Sequence, residues 1–343
     1  MERGSATLDS RPEQTGVLVV GAGAIANEHL RAIQAAGTAT LAGIVDVDAG
    51  RASASAHANG GARWATDLAE ALSWPEVDAC IVCTPNHTHG AIGQQIAQAG
   101  KHMLVEKPLA TTVQDATALV EAFANQHTVL MAAHTHRHYD YARAVKAAID
   151  DGTIGRPVLA RFAILGGWIW PDWRAWMIDP VKSGGHSLHN GVHLLDLVTW
   201  WFGEKPATVY VRGQKQTGAT LGVYDYLEMV LRFENGATAI CEMSRGHRPA
   251  NIGHRDVLVA GTKGELALAW DGESSLVIDE RGTGQVPPVS TNGFQAQLEA
   301  FLAAIMGEPS AMSAEEGRRA VAMGVAAERS IQTGLPVQLE EAA

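Results

Sequence analysis

The chain has 343 residues, 46% of them hydrophobic, which is more than one compact core usually takes, so two domains are expected. Acidic residues outnumber basic ones by 37 to 26, a net charge of −11, and no Lys/Arg run is long enough to track a phosphate backbone, which excludes nucleic acid as a partner. No apolar stretch approaches the ~18 residues of a membrane span, and no apolar run follows Arg3 and Arg11, so residues 1–15 read as a loose tail rather than a secretory signal.

The first strand-like run, Val17-Leu18-Val19-Val20, leads into Gly21-Ala22-Gly23-Ala24-Ile25-Ala26. In a dinucleotide-binding turn the first glycine permits the tight turn and the second lets the backbone approach a pyrophosphate; the third, here Ala26, allows close helix packing. Gly21, Gly23, Ala24 and Ile25 are therefore candidate cofactor ligands. A second strand over 40–45 ends in Asp46, where a carboxylate accepts hydrogen bonds from the adenosine ribose and repels a 2′-phosphate, so NAD is expected in preference to NADP. Asp48, two residues on, reads as a helix cap. Further strands over 79–83, 102–105 and 129–132 alternate with alanine-rich helical stretches such as 29–36 and 91–99, the pattern of repeated βαβ units and a doubly wound parallel sheet. Cys80 and Cys83 fall in one of these strands and read as packing; with Cys241 they have no framework spacing, which fits a reducing cytosol and a cytoplasmic protein. The apolar run 102–105 passes directly into Glu106-Lys107-Pro108. That puts a lysine at the sheet edge where ligands bind, and a lysine beside a nicotinamide suggests hydride-transfer chemistry.

Beyond residue 141 the character changes. Strands are expected over 158–165, 208–212, 224–233, 237–243, 256–260 and 265–269 without regular intervening helices, which argues for one open, mostly antiparallel sheet. Asn235-Gly236 supplies a hairpin turn between two of them. Helices follow over 294–306 and 314–333, the second closed by Gly334 and Pro336 before a last strand. The fold class is α/β, a dinucleotide-binding domain followed by an α+β domain on an open sheet. The boundaries are a flexible tail at 1–15, an NAD-binding domain at 16–137, and a substrate and oligomerisation domain at 138–343 whose C-terminal helices pack back on the first. The apolar alternation Leu227, Met229, Leu231 leaves a face to be covered, which points to a homo-oligomer, a dimer or tetramer.

Several segments together resemble the glucose-fructose oxidoreductase and inositol dehydrogenase family, Gfo/Idh/MocA: 21–26, Thr84-Pro85-Asn86-His87-Thr88-His89, Glu106-Lys107-Pro108, Ser183-Gly184-Gly185, Gly191-Val192-His193-Leu194-Leu195-Asp196 and Gly261-Thr262-Lys263-Gly264. The resemblance implies a Rossmann domain and an open-faced α/β domain, and oxidation of a secondary alcohol on a sugar or cyclic polyol, or the reverse. It implies that Lys107 polarises the reacting oxygen, that Thr84, Pro85 and Asn86 line the nicotinamide side with His89 and Glu106 close by, and that His193 is the general acid/base.

The chain departs from that pattern where many relatives carry an aspartate four residues before the catalytic histidine; here His189 stands. Both imidazoles are expected on one helix face as a coupled pair, with His193 harder to protonate for want of the carboxylate. His186, His189 and His193 could converge on a cation, as could His134, His136 and His138, but no metal is expected and the histidines read as lining a polar substrate site. The loop from 166 to 176 is dense in indoles; Trp168 and Trp173 are the candidate platforms for an apolar sugar face, and Arg174 a fork for hydroxyls or a carboxylate. Arg161 and the segment 245–247 are further candidates. Two other functions fit the same residues: a glycoside hydrolase or lyase that retains NAD for transient oxidation, and a non-catalytic NAD-dependent sensor.

Overall fold

The computed structural model describes residues 14–167, 175–215, 217–249, 253–269, 275–279, 282–286 and 292–339. The first layer runs β1 (Thr15–Val20), α1 (Ala26–Ala35), β2 (Ala39–Val45), α2 (Ala49–Ala58), β3 (Trp64–Ala65), α3 (Leu68–Leu72), β4 (Ala79–Val82), α4 (His89–Gln98), β5 (His102–Glu106), α5 (Val113–Asn125) and β6 (Leu130–Ala133). Its strands form one parallel sheet in the order β3-β2-β1-β4-β5-β6, so the chain reverses direction across the sheet between β1 and β4. That switch point opens a crevice at the carboxyl ends of the two strands. Both faces of the sheet are covered by helices, so β1, β4 and β5 carry unbroken buried runs rather than alternation. Cys80, Cys83 and Cys241 are free and buried, as packing residues.

The second layer runs α6 (Asp140–Asp150), β7 (Pro157–Gly167), α7 (Pro180–Ser183), α8 (Val192–Phe202), β8 (Pro206–Gln214), β9 (Tyr226–Phe233), β10 (Thr238–His247), β11 (Gly253–Gly261), β12 (Gly264–Ala269), β13 (Ser275–Asp279), β14 (Gly282–Val286), α9 (Gly293–Ile305), α10 (Ala314–Thr333) and β15 (Val337–Gln338). These strands form a second sheet in the order β14-β13-β12-β11-β7-β10-β9-β8-β15, antiparallel except where β7 runs beside β10. The helix α10 begins with a reciprocal Ser313–Glu316 capping box and packs against both α5 of the first layer and β8 of the second, while α9 packs on α1. The C-terminal helices thus pack against helices of the nucleotide layer.

One expectation is corrected here. Leu227, Met229 and Leu231 are fully buried within the chain, because their side of β9 packs on the segment leading into α8: a Cβ at Gly191 would lie 3.0 Å from Met229 Sδ and 3.4 Å from Leu227 Cδ1. Alternation marked a buried face, and the chain's own helix supplies the cover. The outward row of that strand is Tyr226, Glu228, Val230 and Arg232. Among the described residues, no helix is long and apolar enough to cross a membrane.

Candidate active site

The cofactor edge is built from the turn after β1. Gly21 sits at φ +97°, and a Cβ there would press on the Cys83 carbonyl at 2.8 Å, so glycine is required both for conformation and for close approach to β4. A Cβ at Gly23 would meet nothing within 4 Å, which is the open backbone a pyrophosphate needs. No side chain caps the N-terminus of α1, so its end remains available to an anion. Gly23 and Ala24 are exposed and Ile25 half-buried. At the end of β2, Asp46 accepts from the Ala22 amide at 2.8 Å, the Asp48 amide at 2.9 Å and Arg51 Nη2 at 2.8 Å. Burial pushes the Asp46 carboxyl up, but the Arg51 guanidinium and the two amides outweigh it and hold the group ionised. Asp48 caps α2 through the Arg51 amide. These features together fit a dinucleotide.

Across the crevice, Thr84 and Pro85 are half-buried at the end of β4, and Asn86 is buried. Asn86 Nδ2 donates to the Ser183 carbonyl at 2.8 Å and to His189 Nδ1 at 3.1 Å, which ties the nucleotide layer to the histidine segment and places the His189 proton on Nε2. His89 does not reach the cofactor side. It is fully buried, with Nδ1 2.8 Å from the Pro108 carbonyl and Nε2 2.9 Å from the Thr84 carbonyl, so it pins together the two loops that carry Lys107 and Asn86. Burial lowers its pKa. Glu106 is also structural in its main contact: it bonds His29 Nε2 of α1 at 2.8 Å, and its carboxyl stays low because His29 overcomes the cost of burial.

Lys107 projects from the end of β5 and donates to the His189 backbone carbonyl at 2.7 Å. That carbonyl lies in a π-helical turn, Ser187–Gly191, whose wider hydrogen-bond spacing precedes the regular helix α8. Burial pulls the Lys107 ammonium down to about 8, partly opposed by Glu106. The π turn is anchored from behind by Glu328 of α10, whose carboxylate accepts the Ser187 amide at 2.7 Å.

The histidines divide into two sets. His186 and His189 lie in and before the π turn: Asn190 Nδ2 contacts His186 Nδ1 at 3.1 Å, and the Trp176 indole stands edge-on to His189 with ring centroids 5.2 Å apart. His193, the first turn of α8, faces the crossover after β6 instead, with its ring 4.5 Å from that of His136 and 6.3 Å from that of His134. Its neighbour is therefore His136 rather than the expected His189. His136 Nδ1 lies 2.7 Å from the Tyr141 hydroxyl. Burial pushes the rings of His136, His186, His189 and His193 toward the neutral form, with Lys107 and Arg245 adding to it: His193 and His189 well below the usual range, His136 and His186 to about 3. His193 is thus a neutral imidazole at physiological pH, and its Nδ1 has no hydrogen-bond partner among the described residues.

Behind His193, Asp196 anchors α8. Arg137 grips it with Nε and Nη2 at 2.8 and 2.7 Å and reaches Glu316 with Nη1 at 2.8 Å. His134 Nδ1 stands 3.3 Å from the same carboxylate. His136, Tyr141 and this anchor were missed as site residues by sequence reasoning; the alternating histidines at 134, 136 and 138 were the available signal. Trp168, Trp173 and Arg174 lie outside the described residues. Among the described residues no three His, Cys, Asp or Glu side chains converge as metal ligands would.

A dinucleotide crevice faced by a half-buried, pKa-lowered lysine and neutral imidazoles defines a nicotinamide-dependent oxidoreductase. Residues 15–134 match the oxidoreductase family with an NAD-binding Rossmann fold (GFO/IDH/MocA), and residues 142–267 match the GFO/IDH/MocA C-terminal domain. The chain belongs to the Gfo/Idh/MocA family. It is 30% identical over 331 residues to a 1,5-anhydro-D-fructose reductase of Ensifer adhaerens, covering 94% of this chain and 98% of that protein. It is 28% identical over 335 residues to a myo-inositol 2-dehydrogenase of Thermotoga maritima, again covering 94% and 98%. The crystal structure of GenD2 from gentamicin A biosynthesis, in complex with NAD, superposes with a TM-score of 0.84 at 26% identity, covering 98% of this chain and 99% of that one.

Proposed function

We propose that this protein is an NAD-dependent dehydrogenase that oxidises a secondary alcohol of a sugar or cyclic polyol. The observation that carries the reading is Lys107, half-buried at the carboxyl edge of β5 and bonded to the His189 carbonyl, where the nucleotide crevice meets the histidine segment. When bound, NAD supplies the hydride acceptor. Lys107, protonated below about 8, donates a hydrogen bond to the substrate oxygen and fixes its position. His193, neutral and with buried surroundings that disfavour imidazolium, takes the hydroxyl proton only as charge develops on that oxygen. His189, oriented by Asn86, presents Nε2–H toward the same space and serves as a donor to the substrate. His186 contributes to the polar wall, and Trp168, Trp173 and Arg174 complete the substrate side. The carboxylate of Asp46 favours NAD over NADP. The tail, nucleotide domain and substrate domain divide at 15/16 and 137/138, and the outward row of β9 with the neighbouring strands is the surface for a homo-oligomer.

The test follows reduced-nicotinamide absorbance and product identity while purified protein and NAD meet a panel of pyranoses, inositols, sugar acids and glycosides. Reduced cofactor appearing with an oxidised sugar or polyol supports the dehydrogenase. Glycoside cleavage with no accumulation of reduced cofactor replaces it with an NAD-retaining hydrolase, and binding without either reaction replaces it with a sensor.

A further inference from the structure

We infer that the substrate of this site carries an anionic oxygen group, a carboxylate or a phosphate, which Arg245 holds. The inference uses the dehydrogenase reading only to say which cleft the substrate occupies. Arg245 lies in the bulge where β10 shifts register against β7, between Ser244 and His247, with its amide bonded to the Asp225 carbonyl. Its side chain crosses Gly166 of β7, where a Cβ would stand 2.8 Å from Nη1 and 3.5 Å from Cδ. Gly166 is two residues beyond the buried Ile164 and so shares its helix-covered face. The missing side chain at 166 is what lets a guanidinium lie flat there. On the same row Arg255 of β11 sits opposite Ile164.

Both arginines therefore face the underside of the histidine cluster. The charge of Arg245 reaches Lys107, His136, His186, His189 and His193, and that of Arg255 reaches His136 and Arg245 itself. The acidic groups nearest the cleft are committed elsewhere in part: Glu106 to His29, Asp196 to Arg137, and Asp225 to the Thr217 and Gly218 amides at 2.8 and 2.5 Å. Arg245 Nε is buried and has no hydrogen-bond partner among the described residues. A largely buried guanidinium whose Nε has no acceptor among the described residues, with the Lys107 ammonium in reach of its charge, is costly. A neutral polyol would leave that cost in place. A bidentate oxyanion removes it, because the fork of Arg matches the geometry of a carboxylate or phosphate edge.

The experiment compares matched pairs with NAD and full-length protein: glucose with glucuronate, galactose with galacturonate, myo-inositol with quinate, and glucose with glucose 6-phosphate. Calorimetry on NADH-loaded protein measures binding of the same compounds. In at least one pair the anion is expected to show kcat/KM higher by about 10- to 100-fold, the range a charge-assisted bidentate contact supports. Arg245→Gln is expected to collapse that ratio, mainly through KM, with Arg245→Lys keeping part of it. A phosphate preferred by the same Arg245-dependent margin supports the inference and names phosphate over carboxylate. Neutral compounds used and bound as well as their anionic partners overturn it, as does an anion preference that survives Arg245→Gln. No cofactor reduction with any compound, yet Arg245-dependent anion binding, refutes the dehydrogenase and leaves this inference standing; neither turnover nor anion binding overturns it.

Discussion

Replacing Arg137 by Met keeps the volume of the buried stem and removes the guanidinium that grips Asp196. Arg137 is 5% exposed and Asp196 2%, so solvent cannot replace the two lost hydrogen bonds. Breaking a buried pair from one side leaves an uncompensated charge, a loss of ~3–5 kcal/mol. His134 Nδ1 remains 3.3 Å from the carboxylate, so the lower end is expected, about 3 kcal/mol. For a chain of 343 residues that corresponds to a fall in Tm of roughly 4 °C, read by differential scanning calorimetry. The pH dependence carries a sign. In the wild type Arg137 holds the Asp196 carboxyl well below its unfolded value, so that stabilisation is complete above about pH 4 and fades only in stronger acid. In Arg137→Met burial dominates and Asp196 protonates at higher pH, so the deficit is greatest near pH 8 and shrinks toward pH 5. The double variant Arg137→Met/Asp196→Asn recovers most of the loss, since no buried charge remains. A deficit below about 1 kcal/mol, or one unaffected by pH and by Asp196→Asn, refutes the argument.

Lys107→Ala is expected to lower kcat/KM by about 10³-fold or more while NAD affinity, measured by fluorescence titration, stays within a few fold, because the proposed grip on the cofactor is the turn at Gly21 with Asp46. Alcohol oxidation is expected to hold steady from about pH 6.5 and to fall as pH rises through about 8, where Lys107 loses its proton, with His193 neutral throughout; a rate still climbing at pH 10 removes Lys107 from its donor role. Asp46→Ser frees Arg51, now held at 2.8 Å, for a 2′-phosphate, and the ratio of kcat/KM for NADP over NAD is expected to rise by at least ~10-fold; an unchanged ratio would mean that the carboxylate does not select the cofactor. Gly185 sits at φ +89° with its bare face against the Glu328 carboxyl, so Gly185→Ala is expected to cost at least ~2 kcal/mol and to depress kcat by displacing the π turn, checked by denaturation and initial rates.

The nucleotide layer was legible because its evidence is local. Buried parallel strands are short apolar runs, and Gly21, Gly23 and Asp46 act within one βαβ unit. The strand β3 escaped because two residues, Trp64 and Ala65, show no period. The second sheet was legible in its alternating strands, but alternation says only that one face is buried, so Leu227, Met229 and Leu231 were given to a partner when the segment before α8 covers them. Lys107 and His193 were singled out through motif context. What that context could not show is where neighbours come from: Arg137 meets Asp196 from 59 residues away, and His136 reaches His193 from the other domain crossover. The spacing of four between His189 and His193 implied a shared helical face, whereas the π turn sends one ring toward Asn86 and the other toward His136. His89 carried the right motif and the wrong burial; its two carbonyl partners belong to loops whose meeting only the folded chain reveals.

The bond from Lys107 to the His189 carbonyl has a stereochemical consequence. An ammonium offers three N–H directions in a tetrahedral fan, and a backbone oxygen that cannot rotate away has taken one of them. The two that remain are no longer free to sweep the pocket. On the proposed function, a ring hydroxyl would arrive along one of two fixed lines, so an axial and an equatorial hydroxyl at the same carbon would not be equivalent guests. Discrimination of epimers is then the expected consequence of an interaction that never touches the sugar ring.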